Sequence, residues 1–130
     1  MELHITLVSA ALAAIINLWL SARCGRARAA AKVAHGDGGD AALMQAMRAH
    51  SNFTEYTPLT LVLIAAVELS GHGGWLLAAT AIAFLLGRVL HGLGMVPAKT
   101  NWLRASGMLL TFLPILGLSA AAVLIAYGGL

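Results

Sequence analysis

The chain has 130 residues, 60% of them hydrophobic and only 10% charged, with a mean hydropathy of +0.86. A soluble domain of this length carries more charge, because its surface faces water; lipid suits this composition, and at about 20 apolar residues per crossing the chain holds at most about four spans in one domain. The net charge of +3 is no sign of nucleic acid, since the basic residues flank apolar runs instead of alternating with exposed aromatics, and a lone cysteine, Cys24, excludes an internal disulfide or a cysteine-based metal cluster.

The first helix is predicted over about residues 3–31. Its apolar run, Leu3 to Ala22, has Asn17 as its only strongly polar interior residue. The start lacks a positive n-region, so the run reads as a retained span and not a cleaved leader. It continues as RCGRARAAAK, whose arginines can reach headgroups or turn inward. The turn-rich VAHGDGGD follows, with Asp40 placed to cap the next helix.

The second helix, about 41–69, is polar in its first half and apolar in its second, with Pro58 at the join expected to kink the helix or loosen one hydrogen bond. SGHGG makes the next turn. The third helix, about 74–94, opens on Trp75, an interfacial aromatic. MVPAKTN leads to the fourth, about 101–127, where Pro114 is a second expected kink. All eight Lys and Arg residues (Arg23, Arg26, Arg28, Lys32, Arg48, Arg88, Lys99, Arg104) belong to the side of the first and third connections. The positive-inside rule makes that side cytoplasmic and puts both termini on the other.

The stretch MRAHSNFTEYTPL, residues 47–59, gathers polar groups where an apolar helix would be expected. At 100° per residue Arg48, Asn52, Glu55 and Leu59 share a face, Ser51 and Tyr56 flank it, and His50 points elsewhere. Arg88, His91 and Met95 form a similar stripe in the third helix, and Arg104 opens the fourth at the same end. Simple neutralisation of Arg48 by Glu55, with Arg88 and Arg104 reaching the interface, accounts for any one of these. Intramembrane charges nevertheless cost at least ~2.5 kcal/mol each and usually face a bundle interior or wet cavity. Three arginines against one glutamate predict an inward-facing pocket for an anion. Guanidinium groups suit carboxylates, Glu55 suits an ammonium group, and a thiol on the same ligand would be favoured as thiolate.

The motif R-x-x-x-N-x-x-E-Y-x-P, Arg48 to Pro58, resembles the MAPEG family, membrane-associated proteins of eicosanoid and glutathione metabolism. GDGGD before the second helix and GRVLHGLG, Gly87 to Gly94, look like bacterial members. The resemblance implies an all-α, four-transmembrane-helix bundle assembled as a homotrimer in a bacterial inner membrane. Glutathione would lie between subunits toward the cytoplasm. Carried over by position, Arg48, Asn52, Glu55 and Tyr56 would bind it and Arg104 would stabilise its thiolate. His91 would add a hydrogen-bonding group, and of the first-helix arginines Arg26 and Arg28 are preferred over Arg23. The implied partners are glutathione as co-substrate, a lipophilic electrophile or lipid hydroperoxide, and membrane lipid, with no metal.

Leukotriene-forming relatives carry two tyrosines where this chain has His91 and Met95, and prostaglandin-forming relatives carry Ser where it has Ala105. A generalist glutathione transferase, also acting as a peroxidase, is therefore expected over dedicated eicosanoid synthesis. The alternatives are a non-catalytic lipid-binding or scaffold member, and a small transporter. The last needs a continuous polar path, whereas the far half offers only Asn17 and Glu68, the latter read as interfacial.

Overall fold

The computed structural model describes residues 2–96 and 100–129. Lys99, one of the eight basic residues, and Met1 lie outside them. The described residues are all-helical, and their four long helices are each apolar enough to cross a membrane: α1 (His4–Ala31), α2 (Ala41–Val67), α3 (Trp75–Gly94) and α4 (Trp102–Ala126). At 1.5 Å per residue the 20 residues of α3 rise ~30 Å, the thickness of a hydrocarbon core. α1 and α2 are longer.

Three of the helix starts are satisfied by named side chains. Asp40 Oδ1 accepts from the Leu43 N–H at 2.7 Å, and Asn101 Oδ1 accepts from the Arg104 N–H at 3.0 Å, which supplies two first turns with acceptors for their free donors. Asn101 Nδ2 also donates to the Gly94 carbonyl at 3.0 Å, joining the start of α4 to the end of α3. α1 has no cap of its own. Instead Glu68, 63 residues away, accepts from the N–H groups of Ile5 and Thr6 at 2.9 and 2.8 Å and from the Thr6 hydroxyl at 2.6 Å. Glu68, near the far end of α2, thus caps α1 and is buried there.

Pro58 lies on the exposed side of α2, and the helix runs on through it with one backbone donor missing. The far end is not plain α-helix to Leu69. It loosens after Val67 into a wide π turn, Glu68–His72, closed by Gly71 at φ 85°, a left-handed conformation that suits glycine.

The helices pack in the ring order α1, α2, α4, α3. The tightest contact is α3 on α4, where a Cβ at Gly87 would meet Leu110 at 2.8 Å and one at Gly107 would meet the Gly87 carbonyl at 2.8 Å. Small residues let membrane helices approach this closely. Two apolar clusters fill the bundle: Leu20, Phe53, Phe84 and Met95 toward one end, and Ile64, Leu77 and Leu118 toward the other. Outside, Leu18 is 69% exposed and Leu116 66%, the expected outer surface of a bundle solvated by lipid.

Candidate functional site

The polar residues of α2, α3 and α4 meet at the end where α1 and α3 finish and α2 and α4 begin. Arg88 is the centre: it sits six residues, ~9 Å, inside the C-terminal end of α3 and is 1% exposed. Its Nη1 donates to Asn52 Oδ1 at 2.7 Å, and its Nη2 donates to the Thr111 hydroxyl and reaches Met108 Sδ at 3.8 Å. The guanidinium lies 5.7 Å from the Tyr56 ring centroid and 5.9 Å from that of Phe84, geometry in which a cation is held by aromatic faces. Arg88 Nε has no partner among the described residues. Thr111 in turn donates its hydroxyl hydrogen bond to the Gly107 carbonyl at 2.8 Å, tying the cluster to the α3–α4 contact.

Of the predicted ligand residues, Asn52 and Tyr56 are half-buried beside Arg88. Arg48 and Glu55 do not face inward, as their shared helical face with Asn52 led us to expect. They form a 3.8 Å ion pair whose side chains are 59% and 50% exposed. The reason is rotational: the stripe lies at the edge of the α2–α4 contact, so only its Asn52 edge enters the bundle. His91 is buried on the face of α3 that meets Gly107. Arg104 is half-buried at the start of α4, its backbone pressed against Gly94.

The three first-helix arginines separate clearly. Arg23 donates to the carbonyls of Gly92 and Met95, capping α3, with its guanidinium 5.3 Å from the Trp19 centroid. Arg28 clasps the connection after α1, donating to the carbonyls of Val33 at 3.3 Å and Gly36 at 2.8 Å. Arg26 is exposed. Arg28 therefore has a structural duty in the chain that its spacing did not reveal.

Arg88 and Thr111 were absent from the expected ligand set. The Arg88–His91–Met95 stripe signalled the first, and all three residues are indeed buried; nothing local signals Thr111. His50, set aside by its angle on α2, pairs with Asn17 of α1 at 2.8 Å, so the two polar groups of the α1–α2 contact satisfy one another. Beside the cluster, between α2 and α4, an apolar cavity of about 410 Å³ is lined by Glu55, Tyr56, Leu59, Thr60, Phe112 and two further α4 residues. Tyr56 and Phe112 meet edge to face across it, centroids 5.6 Å apart.

A family model described as the MAPEG family matches residues 6–124. The inner membrane protein YecN of Escherichia coli K12 is 36% identical over 107 residues, which cover 82% of this chain and 81% of that protein. The protein of the same name from Escherichia coli O6:H1 gives the same figures. No solved structure matches significantly.

Proposed function

The chain belongs to the MAPEG family, and on that premise we propose that it is a membrane-bound glutathione transferase that also reduces lipid hydroperoxides. The observation that carries this reading is the exposed Arg48–Glu55 pair beside half-buried Asn52 and Tyr56. Glu55 stands about one turn deeper than Asn52, which meets Arg88 inside the span. An exposed carboxylate at that depth is costly unless something covers it. A zwitterionic tripeptide held against a neighbouring subunit of a homotrimer does so: its carboxylates face Arg48 and its ammonium group faces Glu55.

In this reading Arg26, free of the structural duties of Arg23 and Arg28, reaches the same ligand, and His91 lines its inner side. Arg104 lowers the cost of the thiolate by its charge, while the thiol proton leaves to water. The sulfur then bonds to the electrophilic carbon and the leaving group departs with the electron pair. The apolar cavity that ends at Glu55 and Tyr56 supports entry of the lipophilic partner sideways from the bilayer. The basic end faces the cytoplasm by the positive-inside rule, and the inner-membrane relative supports an inner-membrane location.

The test is ultraviolet difference absorbance of purified protein mixed with glutathione. A thiolate band is expected in the wild type and absent in Arg104→Ala, with the trimer retained on size-exclusion chromatography. Unchanged turnover in Arg104→Ala removes that residue from the mechanism. No thiolate in the wild type, together with no thermal protection by glutathione, moves the protein to the scaffold reading.

A further inference from the structure

α3 and α4 touch closely at the polar end through Gly87, Gly94 and Gly107, and between their other halves lies a second cavity, of about 760 Å³. Its α4 wall runs from Leu110 to Ile125, ~22 Å at 1.5 Å per residue, and its back is closed by Val67 of α2. No Asp, Glu, Lys or Arg lines it. The Thr80 hydroxyl in its wall already donates to the Leu76 carbonyl at 2.8 Å. His72 and Gly73, beyond the end of the apolar part of α2, stand at the end remote from Arg88.

We propose that this cavity binds one acyl chain of a membrane phospholipid in the leaflet opposite the polar site, with the headgroup at His72. Water does not occupy an apolar cavity of this kind. A hydrocarbon chain is thin enough, and one leaflet's ~15 Å of hydrocarbon fits within the wall. The volume falls in the ~300–1,000 Å³ range of small-molecule sites. Gly117 leaves the wall open: a Cβ there would meet nothing within 4 Å. The site is on the far side of the bundle from the proposed reaction and does not depend on it.

The full chain is reconstituted in phosphatidylethanolamine–phosphatidylglycerol vesicles containing phosphatidylcholine with a photoreactive diazirine in its acyl chain, irradiated, digested and mapped by mass spectrometry. Labelling is expected to concentrate in residues 76–83 and 110–121. It should fall by about tenfold in Gly117→Phe and again in Ala121→Phe, and stay unchanged in Leu109→Phe, an exposed position outside the cavity. Phe at position 117 enters open space, and a thermal melt confirms that the variant is folded. Labelling spread evenly over all lipid-facing helices overturns the proposal, as does labelling unchanged in both cavity variants. Dissociation of wild-type oligomers by Gly117→Phe would assign the cavity to a second copy and overturn it equally.

Discussion

Gly107→Ala should destabilise the bundle although Ala is the better helix former. An added Cβ at Gly107 would stand 2.5 Å from the His91 backbone nitrogen and 2.8 Å from the Gly87 carbonyl oxygen, where ordinary contact begins at 3.4 Å. Both obstacles belong to backbone, so no side-chain rotation relieves them and α3 and α4 must part by roughly 0.9 Å. Overpacking of this kind costs about 1–3 kcal/mol, against about 0.5–1 kcal/mol gained from replacing glycine within a helix. The net expectation is a loss of up to about 2.5 kcal/mol, centred near 1. Gly117→Ala is the control: it lies on the same helix with nothing in reach, so only the propensity gain remains. Thermal unfolding in detergent should therefore move the two variants in opposite directions. Because Thr111 bonds the Gly107 carbonyl and holds Arg88, the glutathione thiolate signal should fall in Gly107→Ala as well. If both substitutions shift the midpoint alike, the glycine contact does not set the α3–α4 distance and the reasoning fails.

Arg23→Met, which strips two carbonyls of their charged donor, should cost about 2 kcal/mol and shift Trp19 fluorescence. Arg26→Met should leave the melt within about 0.5 kcal/mol of wild type while weakening glutathione protection; equal melting losses in the two would undo the division of roles. The Arg48–Glu55 pair is too exposed to contribute more than about 1 kcal/mol. Glu55→Gln should thus leave stability nearly unchanged but lower glutathione affinity by about tenfold or more, measured by calorimetry, and an unaltered affinity removes Glu55 from the ligand set. Glu68→Gln keeps the shape but turns one acceptor of the α1 cap into a donor, costing about 1–2 kcal/mol. Hydrogen exchange should speed up at the Ile5 and Thr6 amides and not at Leu43, which Asp40 caps locally.

The sequence by itself determined the solvent of this protein, its four helices and the end at which its charges collect. These properties are local: apolar runs long enough to span, Gly- and Asp-rich breaks between them, and caps such as Asp40 three residues from the amide it serves. The motif from Arg48 to Pro58 was legible for the same reason, since its members sit on one helix and their spacing fixes their relative angles. What spacing cannot supply is the rotation of each helix against its neighbours. That rotation left Arg48 and Glu55 on the outside, drew Arg88 in to Asn52 and Thr111, and sent Arg23 to cap α3 while Arg28 closed a loop. It also brought Glu68 to the start of α1 and His50 to Asn17, across 63 and 33 residues of chain. A buried polar group must find a partner in lipid, but which partner it finds is decided by packing, and here chiefly by the glycines that let α3 and α4 close together.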